Sequence, residues 1–422
     1  MSLVVFHPSV APFVQQAARA VHEAGRLDHF ATTVCDEPDR WYRRGADALA
    51  RLAGKDLAAQ FRRRAVTELP AGKVRSDPWG ELLRLAVGAV DRGGRATDLV
   101  WEWSELGFDR RVSRRLDRGL TGVYGFEHSS LFTFRRAREL GLKSAYDVPA
   151  PESAFVHDLL ARETAMFPEL QTAYQRHTAV REARRLERRR EELRTADLVI
   201  AASRFTRDSY LRAGLDPAKA RIVPYGAPPP ADAAPTAGTS DGKLNLIWAG
   251  TFSIRKGAHY VVEAWRRSGL GRHATLRVFG AVTLPERVLR PLPEGIELRG
   301  SIPRAELMPE YGRADALLFP TLCDGFGMVV TEAWSQGVPV ITTDRAGAAD
   351  LLRAGENGLV VPAGDSAAIA AAVGWCVEHR RELAAMRFAA RRTAAGWQWQ
   401  DYRQALAGVL REAGFFNPPL SS

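Results

Sequence analysis

Residues 249–257 read Ala-Gly-Thr-Phe-Ser-Ile-Arg-Lys-Gly: an apolar run ends at Gly250, crosses a short loop and delivers two adjacent cations, Arg255 and Lys256, before an amphipathic stretch. Cations at a helix N-terminus are opposed by the macrodipole, so the pair is unfavourable there unless an anion lies between it and the helix amides. A phosphate or diphosphate fits, gripped bidentately by Arg255 and met by Lys256 as a point charge. In a chain this rich in arginine the same residues also fit an exposed basic turn. A second segment, Pro320 to Ala333, carries Asp324, Gly325, Phe326, Gly327, Met328, Val329 and Glu332. A strand running through such a glycine-punctuated turn into a helix leaves free amides from Gly325 to Val329 facing whatever lies before it. Asp324 and Glu332 bracket that mouth, and carboxylates accept paired hydrogen bonds from a diol. Asp324 also fits a turn or capping residue, and Glu332 a partly exposed helix position.

Those loops need strands to carry them. Apolar runs at Leu244–Ala249, Thr275–Phe279, Ala316–Phe319 and Val338–Thr342 alternate with helical patterns at Ala258–Ser268, Glu306–Tyr311 and Val329–Gln336, the signature of a parallel, doubly wound sheet. Earlier in the chain, strands are predicted at Leu3–Phe6, Ala31–Val34, Leu99–Trp103, Gly122–Phe126, Ser144–Asp147 and Leu198–Ala201. They make a second open α/β sheet. Four side chains, His7, Glu127, His128 and Asp147, fall at predicted strand ends on the cleft-facing edge, where such sheets bind ligands. Each also fits a structural role, His7 as a loop cap and Asp147 as a turn carboxylate before Pro149. The predicted division is an N-terminal domain over 1–226, a proline- and glycine-rich linker over 227–242, a C-terminal domain over 243–395 and a last helix within 396–422.

In their order and spacing, Ala249-Gly-Thr with Arg255-Lys256-Gly257, Asp324-Gly-Phe-Gly with Glu332, and Gly337-Val-Pro-Val-Ile through Gly347 to Gly358-Leu-Val-Val-Pro362 resemble the retaining GT-B glycosyltransferases of family four. A fainter likeness in the first half rests on Tyr124 to Glu127, Tyr146 to Pro149 and Ala196 to Ser203. The resemblance implies two Rossmann-like doubly wound domains facing each other across a cleft. It also implies a nucleotide-diphosphate sugar (UDP-, GDP- or TDP-linked) as substrate, no permanently bound cofactor, no metal, and transfer to a hydroxyl acceptor with retention. Within it, Arg255 and Lys256 neutralise the leaving diphosphate, Glu332 holds the ribose, and Gly250 with the amides of Gly325 to Val329 meets sugar and phosphate oxygens. Asp324 stands where relatives carry a glutamate that touches the transferred sugar. Asp147 falls near sugar and acceptor, with His7, Glu127 and His128 lining the acceptor side. The final helix is expected to cross back onto the first domain.

The chain has 422 residues with 59 basic and 49 acidic side chains, but the excess is one-sided. Residues 1–230 carry 38 basic and 30 acidic groups against 21 and 19 in the remainder, so an anionic partner is expected at the first domain. Arg40 to Arg44 and Lys55 to Arg64, followed by Trp79, Leu82, Leu83 and Leu85, interleave cations with apolar groups and suggest peripheral contact with an anionic membrane. The charged run Arg181–Arg194 fits a solvated helix or a partner contact. Three dispersed cysteines and the lack of a long apolar run lead to the expectation of a cytoplasmic protein. No GxGxxG follows a strand, which disfavours a dinucleotide oxidoreductase, and no nucleic-acid module is recognisable. An epimerase of the same fold and a catalytically silent nucleotide-sugar-binding subunit remain as alternatives.

Overall fold

Strands buried on both faces read as continuous apolar runs, as β1 and β6 do among the seven that build the first sheet: β1 (Leu3–Phe6), β2 (Leu27–Thr32), β3 (Val74–Ser76), β4 (Gly122–Phe126), β5 (Lys143–Val148), β6 (Leu198–Ala201) and β7 (Ala220–Ile222). They lie in the order β3-β2-β1-β4-β5-β6-β7 and all pair in parallel. The second sheet holds β8 (Leu244–Ala249), β9 (Ala274–Phe279), β10 (Ile296–Gly300), β11 (Ala316–Phe319), β12 (Val340–Thr342) and β13 (Gly358–Val360) in the order β10-β9-β8-β11-β12-β13. The computed structural model describes residues 2–36, 42, 64–91, 93–231 and 242–417. Arg40–Arg44 apart from Tyr42, Lys55 to Arg63 and most of the predicted linker lie outside the described residues.

One predicted strand is wrong. Leu99–Trp103 lies inside a helix, Arg95–Arg114, whose buried positions Ser104, Phe108 and Val112 recur every four residues. That period continues beyond the β-like cluster and overrides it, leaving Leu99 and Trp103 exposed on the opposite face. The strand predicted over Ala31–Val34 ends at Thr32, where Thr33 Oγ1 donates to the Pro8 carbonyl at 2.5 Å. The charged run becomes part of helix Ala173–Thr195. This helix is only partly solvated: Arg188 reaches the buried Asp109 at 2.8 Å, and Arg185 reaches Asp98 at 2.9 Å.

Several contacts tie the two sheets together. The last helix, Trp399–Glu412, packs along Pro12–Glu23, where Arg403 bonds Gln16 at 2.7 Å and Glu23 at 2.8 Å. Beside it the chain leaving the first sheet is stitched to the returning segment, Ala227 N–H donating to the Trp397 carbonyl at 2.9 Å. Helix Ser153–Met166 and the turn Pro168–Leu170 cross the other way: Leu159 and Leu170 sit in the second sheet's core with Trp248, Phe252 and Tyr260. The helix is pinned there by Glu163, which accepts from His259 Nε2 at 3.0 Å and the Tyr260 hydroxyl at 2.9 Å. Between the domains lies a cavity of about 630 Å³, lined by Arg255 on one side and by Glu127, His128, Arg176 and Arg189 on the other.

Candidate functional site

In the second sheet β8 is the strand at which chain order reverses, so the loops leaving β8 and its neighbour β11 diverge and open a crevice at their carboxyl ends. The β8 loop carries Arg255 and Lys256, and the β11 loop carries Asp324 to Gly327. They are fastened together, the Arg255 carbonyl accepting from Leu322 N–H at 2.9 Å and Thr321 Oγ1 at 3.2 Å. Gly257, at φ 77°, lies so close that a Cβ there would strike the Pro320 carbonyl. Gly327, at φ 82°, starts helix Met328–Ser335 without a side-chain cap. The N–H groups of Met328 and Val329 find no acceptor among the described residues, which leaves two donors and the positive end of the helix at the crevice.

The two cations are held differently. Lys256 forms an ion pair with Asp324 and lies over the Phe319 ring at 4.8 Å. Burial and the adjacent Arg255 guanidinium push its pKa down, with Cys323 opposing them. Arg255 lines the cavity and makes no side-chain hydrogen bond or ion pair among the described residues, which leaves its five donors unused there. Asp324 also accepts from Phe326 N–H at 3.1 Å, closing its own turn. Glu332, 9% exposed, accepts from Arg304 Nε at 2.8 Å and from the Tyr311 hydroxyl at 3.2 Å. Gly250, at φ 102°, follows β8, with Gly250 O accepting from the Trp248 indole at 3.1 Å.

The first-domain residues divide into two groups. His7 follows β1 and Phe126 ends the adjacent β4, with the His7 ring edge-on to Phe126 at 5.0 Å; burial pushes the imidazole down to about 4, so it is neutral near pH 7. Next along the chain, Glu127 accepts from Ser153 Oγ at 2.8 Å and lies 3.6 Å from Arg189. Burial pushes its carboxyl up to about 7 against the pull of Arg189 and Ser153. His128, held at φ 86°, accepts from Arg189 Nε through Nδ1 at 2.9 Å. Glu127, His128 and Arg189 therefore form one cluster across the cavity from Arg255.

Asp147 is apart from that cluster. It is 1% exposed, and its two oxygens accept from the Tyr124 hydroxyl at 2.6 Å and the Tyr225 hydroxyl at 3.1 Å. Its connection to the crevice is indirect, through the Tyr225 ring packed edge-on to Phe326 at 5.4 Å. Burial pushes the Asp147 carboxyl from 3.8 up to about 7, the two tyrosines pulling the other way. A group whose folded pKa is raised contributes stability below pH 4 that is lost as pH climbs through 7. Asp147→Asn mimics the protonated form, and melting temperatures across pH 4 to 8 should fall less in the variant than in wild type. The difference has an upper bound of about 4 kcal/mol, from roughly three pH units at about 1.4 kcal/mol each. Parallel curves would contradict the assignment.

Several partners escaped the sequence reading. Arg304 and Tyr311 stand seven residues apart on one helix, two turns on the same face, a spacing that could have suggested a shared target. Ser203 and Thr206, which both donate to the Gly325 carbonyl, at 2.7 and 3.0 Å, carry no signal, because the contact joins distant parts of the chain.

Comparison with known proteins agrees with this architecture. Two facing doubly wound sheets are the GT-B fold, shared with sucrose-phosphate synthase from Thermosynechococcus elongatus (TM-score 0.64, 17% identity, 98% of this chain and 99% of that one). It is shared also with Anabaena HepE solved in complex with UDP (TM-score 0.59, 14% identity, 98% and 100%). Residues 243–379 match the family model described as Glycosyl transferases group 1 and are a domain of that group. D-inositol 3-phosphate glycosyltransferase 1 of Catenulispora acidiphila is 30% identical over 120 residues, 28% of this chain and 29% of that protein. Glycogen synthase of Mycobacterium tuberculosis is 28% identical over 181 residues, 41% and 43% respectively. The chain thus matches less than half the length of each of these two relatives.

Proposed function

We propose that the protein transfers a sugar from a nucleotide-diphosphate donor to a hydroxyl acceptor with retention of anomeric configuration. The observation that carries this reading is the crevice between the β8 and β11 loops, which holds Arg255 without a side-chain partner among the described residues, Lys256 paired with Asp324, and the uncapped helix start at Met328. Negative charge grows on the departing diphosphate, and preorganised cations and amides aimed at it lower the barrier. Arg255 and Lys256 supply that charge without a metal. Glu332 takes the ribose hydroxyls, Asp324 and the Gly325 to Val329 amides meet the transferred sugar and phosphates, and Gly250 lets the donor approach β8. The acceptor enters across the cavity beside Glu127, His128 and His7, its hydroxyl attacking on the face from which the diphosphate leaves and passing its proton to that group. Asp147 acts through Tyr225 and Phe326 as a positioning residue.

Incubation with UDP-, GDP- and TDP-linked glucose and mannose, read by proton NMR, tests the reading. Release of the sugar or its transfer in the donor's own anomeric configuration supports it. Inversion would sink retention, epimerised nucleotide sugar would favour the epimerase alternative, and an inert but binding protein would favour the silent subunit.

A peripheral membrane contact is the second element of this reading, favoured by Trp79 (65% exposed), Trp103 (56%), Leu83, Leu99 and Val90 on the helices Trp79–Val90 and Arg95–Arg114. Exposed Arg75, Arg95 and Arg110 accompany them, matching cations to anionic headgroups. No helix among the described residues is long and apolar enough to cross a membrane. The protein should sediment with phosphatidylglycerol-containing vesicles and be released by about 0.5 M salt, since screening shortens the reach of the attraction to a few ångströms. Equal binding to neutral vesicles, or none to either, would contradict the contact.

A further inference from the structure

Glu332 is the second carboxylate of the crevice, and its surroundings are more elaborate than burial requires. One oxygen accepts from Arg304 Nε at 2.8 Å and the other from Tyr311 at 3.2 Å. A carboxylate offers about four lone-pair sites, so two remain open. Tyr311 is fully buried and its hydroxyl has Glu332 as its partner, which fixes one edge of the carboxylate from beneath. Arg304 fixes the other from the solvent side, with its side chain 51% exposed.

The position of Arg304 is costly unless it has a task. It is the first residue of helix Arg304–Gly312, where the macrodipole repels a cation, and the preceding Pro303 supplies no side-chain cap. Its two Nη groups make no hydrogen bond among the described residues. A merely structural salt bridge at an exposed site contributes little, about 0 to 1 kcal/mol. Here the pair instead locks a buried acceptor in one orientation with two lone pairs left unbonded among the described residues.

We propose that Arg304, with Tyr311 beneath, is a specificity-determining positioning residue: it orients Glu332 so that the carboxylate accepts both ribose hydroxyls and discriminates ribonucleotide from 2′-deoxyribonucleotide donors. This rests on the nucleotide-sugar reading above. A freely rotating Glu332 would accept one hydroxyl as readily as two, and a nucleotide lacking the 2′-hydroxyl would then lose little.

Calorimetric titration with UDP, GDP, TDP and ADP identifies the nucleotide that binds, and the same diphosphate is then compared in its ribo and 2′-deoxy forms; TDP is itself a 2′-deoxyribonucleotide, so tighter binding of TDP than of the three ribonucleotides by wild type overturns the proposal. Wild type should prefer the ribo form about tenfold or more, the scale of one lost hydrogen bond to a charged acceptor. Arg304→Ala should bind the 2′-deoxy form as wild type does and hold less than a threefold preference, with Arg304→Lys and Tyr311→Phe between the two. Weakening of both forms in parallel, or an unchanged preference in Arg304→Ala, overturns the proposal while leaving the nucleotide reading in place. Failure of wild type to bind any of the nucleotides overturns that reading, and this assignment with it.

Discussion

Donor turnover falls at least about a thousandfold when Arg255 and Lys256 are both replaced by alanine. Removing one preorganised donor aimed at developing charge typically costs about 10²–10³ in rate, and two adjacent cations are assigned to one diphosphate in the proposed function. The single variants should separate in a way that tests their different environments. Arg255 has no partner among the described residues to lose, so Arg255→Ala keeps the wild-type melting temperature while losing activity. Lys256→Ala also strands Asp324, whose side chain is only 13% exposed, and breaking such a pair costs about 3 to 5 kcal/mol when fully buried. Asp324→Asn in the Lys256→Ala background should therefore recover stability but not activity. Turnover and thermal melts on the four variants check this, and wild-type activity in Arg255→Ala would contradict it.

The second large effect is expected from one methyl group. In Gly325→Ala the new Cβ would land on the Pro149 carbonyl and within 2.9 Å of Ala150 Cα, both backbone atoms of the first domain that cannot swing aside. The Gly325 carbonyl is meanwhile held by Ser203 and Thr206, and Gly347 presses on it from the other side. The loop has no free direction in which to yield. Overpacking of this kind costs about 1–3 kcal/mol, and a displacement near 1 Å at a reacting centre costs about 10²-fold in rate. Activity should fall about a hundredfold, with a lower melting temperature. A fully active Gly325→Ala enzyme would show that this interdomain contact does not hold during turnover.

What the sequence made legible was periodic. Leu244–Ala249, Ala316–Phe319 and Leu198–Ala201 are strands at the residues expected, because an uninterrupted apolar run bounded by glycine or a charge has few other uses in a parallel sheet. Leu99–Trp103 failed because a five-residue β-like cluster was read without the longer helical period around it. All four edge strands, Val74–Ser76, Ala220–Ile222, Ile296–Gly300 and Gly358–Val360, were missed, three of them being only three residues long and the fourth carrying Glu297 and Arg299 among its five. In the crevice, Arg255, Lys256, Asp324 and Glu332 could be singled out since each pair lies within one loop or one loop and its helix. The environment of Asp147 could not, because it is built by Tyr124 on the neighbouring strand β4, Tyr225 beyond β7 and Tyr402 on the last helix, residues far apart in the chain. The same holds for the Gly325 contact with Pro149.

The central claim is that the crevice between the β8 and β11 loops binds a nucleoside diphosphate, and titration calorimetry on wild type and Arg255→Ala tests it most directly. At least one of UDP, GDP, TDP and ADP should bind wild type saturably at one site per chain. The same nucleotide should bind Arg255→Ala at least about tenfold more weakly, at an unchanged melting temperature. Absence of saturable binding by all four, or equal affinity in the two proteins, would contradict the account.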